Sequence, residues 1–348
     1  MVFRPQEIKS TMESLQRPSG AFIASPTLDY SSVWIRDHLY MSLLYHQTGE
    51  YDRFLAGVRT MFDILEQPAS WQKLNHITFN GNGGYLHAKY NADSLQEITD
   101  IWGHHQLDAI GMLLFCTGLL AASDIAVLRG RQDQRLIQLL VFYALDVRYW
   151  SDPDFGMWEE CLIRRSSSVG AVVRGLELIK ETCLAVVPEE LIARGKAFLS
   201  QTLPAESTDQ CRDPQHDHST DVALLSLIWP YRLINGATAQ RVMDNITRRL
   251  TQKNGINRYW GDNYFRQQNG ISAEWQWDFW MSICSAVLLD VERAEEWFAR
   301  GCTRITSAVI AEAYVDDRQN VHTPLGWMHS LALIAWDMLP HSAKERYV

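Results

Sequence analysis

Apolar positions recur along this chain with a period near 3.6. Leu136, Leu139, Leu140, Tyr143 and Val147 show the i, i+3, i+4, i+7 spacing that lays one stripe along one side of a helix. Read on this period, the sequence predicts about twelve helical segments: 6–16, 34–47, 52–66, 106–127, 132–149, 167–182, 189–203, 219–233, 237–252, 275–289, 291–308 and 326–338. No convincing strand alternation competes with them.

The segments alternate between two kinds. The even-numbered ones are apolar nearly all round, as in Met112-Leu-Leu-Phe-Cys-Thr-Gly-Leu-Leu-Ala-Ala122. Odd-numbered ones such as Val291-Glu-Arg-Ala-Glu-Glu-Trp-Phe-Ala-Arg300 carry one apolar stripe and one charged face. A helix apolar on every side belongs inside and a striped one belongs at the surface. The alternation therefore predicts two concentric rings, an all-α (α/α)6 toroid.

The connections sharpen this picture. Links from even to odd segments are short (48–51, 128–131, 183–188, 234–236), whereas links from odd to even ones are long (17–33, 67–105, 150–166, 204–218, 253–274, 309–325). In an up-down toroid all the long links emerge at one end, and connections above about 15 residues are uncommon unless they carry function. They hold Trp71, Trp102, Trp150, Trp158 and Trp260, with Trp34, Trp275 and Trp327 at helix edges. Six aromatic-rich loops at one mouth predict a carbohydrate pocket. No linker or change of composition interrupts residues 1–348, which read as one domain.

Composition narrows the partners. Lys and Arg total 32 against 41 for Asp and Glu, a net charge of -9 with no basic cluster, so nucleic acid has no electrostatic footprint. The longest apolar run, Gly111 to Ala122, is too short to span a bilayer, and Met1 to Ser10 lacks the apolar core of a signal peptide. A cytoplasmic protein is the expectation. The six cysteines (Cys116, Cys161, Cys183, Cys211, Cys284, Cys302) form no Cys-x-x-Cys pair and read as mostly buried thiols, neither a disulfide framework nor a zinc site.

Five stretches in the long links and the helix starts after them carry candidate chemistry. Arg36 and Asp37 follow Trp34. Asp37 could cap the second helix, or the pair could grip sugar hydroxyls, the guanidinium donating and the carboxylate accepting. Trp102-Gly-His-His-Gln-Leu-Asp108 offers two histidines, but adjacent side chains diverge and no third ligand lies at helical spacing, so no metal is expected there. His216 and His218 read as residues of a solvated loop. In Asp154-Phe-Gly-Met-Trp-Glu-Glu160, an apolar ring against Glu159 would raise its pKa as a general acid requires, the alternative being a solvated loop end. Asn257-Arg-Tyr-Trp-Gly-Asp262 through Glu274-Trp-Gln-Trp-Asp-Phe-Trp280 adds Arg258 and Glu274, and Ala311-Glu-Ala-Tyr314 through Trp327 adds Glu312.

These stretches, in this order and over nearly the whole chain, resemble glycoside hydrolase family 15, the glucoamylases and their relatives. Leu86-His-Ala-Lys-Tyr-Asn91, Trp102 to Asp108, Gln138-Leu-Leu-Val-Phe-Tyr143 and Ser167-Ser-Val-Gly170 are most similar to the N-terminal glucoamylase-like region of phosphorylase kinase α and β subunits. The resemblance implies an (α/α)6 barrel and inverting release of glucose from the non-reducing end of α-glucans, without metal or cofactor. It implies Glu159 as general acid and Glu312 as general base, while Glu274, beside an equally aromatic stretch, is the rival for the base on the sequence itself. Arg36, Asp37, Trp102, Asp108, Trp158, Glu160, Arg258, Tyr314 and Trp327 become the expected sugar-binding residues. Inversion asks for about 6.5–9.5 Å between the carboxyls, room for water and a sugar ring. The kinase subunits have Trp-Glu-Arg where this chain has Trp-Glu-Glu160, a difference that favours a hydrolase. The kinase likeness keeps open a non-catalytic carbohydrate-sensing or regulatory module, with a protein partner, and a weaker reading is a related barrel acting on trehalose.

Overall fold

The computed structural model describes residues 2–77, 84–268 and 270–347. Its apolar helices form a closed inner ring: α2 (Ile35–Gln47), α5 (Leu107–Ala122), α7 (Ser166–Glu181), α9 (Leu225–Ile228), α11 (Asp278–Val287) and α13 (Gly326–Met338) each pack on the next, and α13 returns to α2. Around them stand α1 (Pro5–Glu13), α3 (Tyr51–Leu65), α6 (Arg131–Asp146), α8 (Glu189–Thr202), α10 (Gly236–Arg249) and α12 (Val291–Cys302). This is the (α/α)6 toroid.

The sequence pattern accounts for the two rings. Every residue of α5 from Leu107 to Gly118 is buried, whereas α12 buries Ala294, Trp297, Phe298, Gly301 and Cys302, one stripe at helical spacing. Glycine lets inner neighbours approach: a Cβ on Gly111 would lie 2.4 Å from the Val172 nitrogen, and one on Gly175 2.7 Å from the Gly111 carbonyl, so α5 and α7 meet backbone to backbone. No helix among the described residues is long and apolar enough to cross a membrane.

Two expectations need correction. Segment 219–233 is not a full helix: β3 (Asp217–Asp221) precedes a 3-10 turn at Val222–Leu224 and the single turn of α9. Link 67–105 holds a helix, α4 (Pro68–Asn75), with Pro at its first position, where the missing N–H costs no hydrogen bond. A short α14 (His341–Lys344) follows α13.

Short strands stitch the long links together at the mouth. β1 (Val33–Trp34) pairs with β2 (Lys89–Tyr90), and β3 pairs with β4 (Tyr259–Trp260). β5 (Glu274–Trp275) pairs with β6 (Ala313–Val315), which pairs with β7 (Arg318–Gln319). Segments of two to five residues show no alternation to read, because each exists only where two loops meet.

Candidate active site

At the mouth of the inner ring lies a cavity of about 280 Å³ lined by Arg36, Asp37, Trp102, Trp158, Glu159, Glu160, Arg258, Glu312 and Trp327 from the expected set. Tyr30, Trp34, Tyr264 and Trp275 complete its aromatic walls. Its lining holds two more carboxyls than guanidinium groups, a field that disfavours anionic ligands and favours developing positive charge.

On one side Arg36, in the first turn of α2, is the organiser. Its Nη1 donates to Asp108 (2.9 Å) and Gln106 (3.0 Å), and its Nη2 donates to Glu159 (3.2 Å). Burial opposes the Arg36 charge, but Asp108 and Glu159 outweigh it and hold the guanidinium above its ordinary range. Glu159 also accepts from Gln106 Nε2 and Trp102 Nε1, each at 2.9 Å. Glu159 adopts φ 66°, a left-handed conformation that a non-glycine residue keeps only where its surroundings hold it. Gly103 provides part of that setting, since a Cβ there would sit 2.9 Å from the Glu159 carbonyl.

Glu312, 2% exposed and just before β6, belongs to the same lining. Its Oε2 accepts from the Tyr264 hydroxyl at 2.8 Å and from Asn320 Nδ2 at 2.5 Å. Burial pushes its carboxyl up to about 7 against the pull of those donors. Asp37 is also pushed up to about 7, first by burial, with Arg36 opposing and Glu159 and Glu312 adding to the rise.

The third wall centres on Arg258, which bonds Asp262 (2.7 and 2.9 Å) and Glu160 (2.6 Å). Its guanidinium lies 4.7 Å over Tyr264 and 5.5 Å over both Trp158 and Trp275. Tyr259 donates to the other oxygen of Glu160.

Two expected sugar-binding residues stand outside the lining. Asp108 is buried behind Arg36 as its counter-ion, and the Tyr314 hydroxyl donates to the Arg304 carbonyl at 2.7 Å. Glu274 is likewise absent from the lining, its carboxylate accepting from the Asn254 N–H at 2.8 Å. Strand alternation explains Glu274 and Trp275: successive side chains of β5 face opposite ways, and Trp275 takes the cavity side. Sequence reasoning missed Tyr30, Tyr264, Gln106 and Asn320. Tyr264 lies two residues beyond Asp262 and could have been found there, while Tyr30 and Asn320 give no local signal.

A layer of buried acids supports the loops. Asp154 accepts from the first N–H of α5 at Leu107 (2.9 Å), Glu206 from the N–H of Ser167 in α7 (3.0 Å), and Asp221 from that of Ala223 (2.8 Å). Carboxylates thus satisfy the free donors of three inner-ring starts. Burial pushes these acids up to about 7, 8 and 7. Asp221 also holds Trp158 Nε1 (2.8 Å) and His218 Nδ1 (2.7 Å).

That contact corrects the placing of the histidines. His218 is buried, and burial, with Arg165 adding, pushes it down to about 2. His216 faces Cys161, and Cys161 is bonded to Cys211, contrary to the reading of free thiols. His104 stacks on His87 and His105 on Tyr85. Among the described residues, the one group of side chains close enough to share a metal ion is Cys161, Cys211 and His216.

Residues 5–317 match the model of glycosyl hydrolases family 15, and the chain belongs to that family. A probable phosphorylase b kinase regulatory subunit alpha of Caenorhabditis elegans is 26% identical, the match covering 74% of this chain and 23% of that one. This chain therefore spans about a quarter of the length of the curated relatives it matches. Among solved structures, a wild-type glycosidase superposes with a TM-score of 0.76 at 19% identity, covering 97% of this chain and 96% of that one. A bacterial glucoamylase complexed with acarbose gives 0.64 at 14% identity, covering 98% and 57%. These likenesses establish the barrel.

Proposed function

We propose that this chain is an inverting glycoside hydrolase of the glucoamylase type that releases glucose from the non-reducing end of short α-glucans. One observation carries the reading: Glu159 and Glu312 line the same cavity, one on the Arg36 side and the other on the Tyr264 side. In this reading Glu159 delivers a proton to the glycosidic oxygen, and Glu312 takes one from the water that attacks the anomeric carbon from the opposite face. The bond from that carbon to the leaving oxygen breaks as the bond to water forms, so the glucose emerges as the β anomer. Arg36 and Asp37 hold hydroxyls of the terminal sugar, and the tryptophan walls stack on its faces.

The test is to incubate the protein with maltooligosaccharides, isomaltose and trehalose and follow the anomer released by NMR, beside a Glu159→Gln control. β-Glucose from the α-glucans, absent in the control, is the expected result, and release from trehalose alone would point to a different barrel enzyme. A second reading, a carbohydrate-sensing module with a protein partner, draws on the likeness to kinase regulatory subunits. Saturable binding of maltotriose with no turnover of any substrate would favour it.

A further inference from the structure

Cys161 follows Glu159 and Glu160 directly and is bonded to Cys211, 50 residues further on, with 5.8 Å between the Cα atoms. Both cysteines are buried and form, with Ile163, a small apolar cluster apart from the main core. The bond fastens the loop that carries Glu159 to a segment fixed on the other side by Arg164, whose guanidinium and backbone N–H both bond Asp209. His216 Nδ1 lies 3.8 Å from Cys161 Sγ, and its ring packs edge-on against Tyr259, the residue that donates to Glu160. The Cys161 carbonyl in turn accepts from Arg165 Nη2 at 2.8 Å. The sulfur bridge is thus two residues from the left-handed backbone of Glu159 and reaches the support of Glu160 through His216.

We propose that Cys161 and Cys211 form a thiol–disulfide switch that orders the Glu159–Glu160 loop, with glutathione as its exchange partner. The regulation of the site rests on the hydrolase reading, whereas the ordering of the loop does not. A single pair beside a histidine differs from a structural framework of many bridges, and in a reducing compartment such bonds are characteristically transient, catalytic or sensing. In the oxidising direction the Cys161 thiolate, beside His216, attacks glutathione disulfide, forming a mixed disulfide and releasing one glutathione thiolate. The Cys211 thiolate then attacks the Cys161 sulfur and expels the second. The two protein thiols give up two electrons and two protons, and one glutathione disulfide becomes two glutathiones. Two glutathiones, or one dithiothreitol, reverse the exchange.

The experiment uses the full chain, equilibrated with glutathione disulfide or with dithiothreitol, and reads three quantities: the cross-linked Cys161–Cys211 peptide by mass spectrometry, hydrogen exchange over residues 155–165, and maltotriose turnover. Expected on reduction are loss of the cross-link, exchange in the loop faster by about tenfold, and a parallel fall in turnover. Cys161→Ser and Cys211→Ser should match the reduced chain in both buffers, while Cys183→Ser, at an exposed free cysteine, should match wild type. Reduction of the wild-type chain keeps the test independent of whether the variants fold. Loop exchange that ignores redox state, turnover in an active chain that ignores it, or one bound zinc per chain lost in both serine variants would overturn the switch. Loop exchange that responds while neither form turns over maltotriose, longer maltooligosaccharides or isomaltose would support the ordering and defeat the hydrolase reading.

Discussion

The two sides of the cavity hold the same residue type in opposite settings. Glu159 accepts from a guanidinium, an amide and an indole N–H, on a loop whose backbone is left-handed. Glu312 is 2% exposed, meets a phenol and an amide, and is pushed up to about 7 by burial. One carboxyl is surrounded by donors, and the other is shaped first by burial. Two glutamates of one cavity thus differ through their neighbours and not through their residue type.

The comparison breaks most sharply by removing either carboxyl. Glu159→Gln and Glu312→Gln should each lower kcat by about 10²- to 10⁴-fold, with maltotriose binding by calorimetry retained. Retention of turnover in either variant would sink the paired assignment.

Removing the organiser tests the Glu159 side alone. Arg36→Met leaves Asp108 buried without its counter-ion and should cost about 3–5 kcal/mol of stability by denaturant unfolding. Reduction of Cys161–Cys211, which closes a 50-residue span, should cost about 3–4 kcal/mol in the same assay.

The pH profile sharpens the Glu312 side. In the proposed mechanism Glu312 must be ionised, and burial pushes its carboxyl up to about 7, so kcat/KM should climb as pH rises through about 7 and fall below it. Tyr264→Phe removes a donor that stabilises the carboxylate and should move the climb upward by about one pH unit. Asp37 is also near 7, and an unmoved climb in Asp37→Asn would leave Glu312 as its source. The smallest effect belongs to Glu274→Gln, which should lose about 1 kcal/mol from the Asn254 contact and keep kcat within a few fold.

Much of the architecture was legible because helix burial repeats every 3.6 residues and lopsided loop lengths have one simple geometric solution. The helical stripes of α12 and the all-round burial of α5 could be read directly. Arg36 stands at a helix start, and Trp102, Glu159, Arg258 and Glu312 in links that also hold many residues outside the cavity lining. Asp108 and Tyr314 were misplaced because proximity in a motif does not tell which face a side chain takes. Glu274 lies outside the lining for the same reason, one position along a strand from Trp275.

By itself the sequence determined the ring of alternating helices, the end at which the long loops gather and the acidic, aromatic character of that end, since these depend on local periodicity and composition. Tertiary structure alone decided that Arg36 bridges Asp108 to Glu159, that Tyr264 faces Glu312 and that Cys161 meets Cys211. Those contacts join residues 48 to 123 positions apart. No periodicity records them, because they are fixed by how the loops cross after the rings have closed.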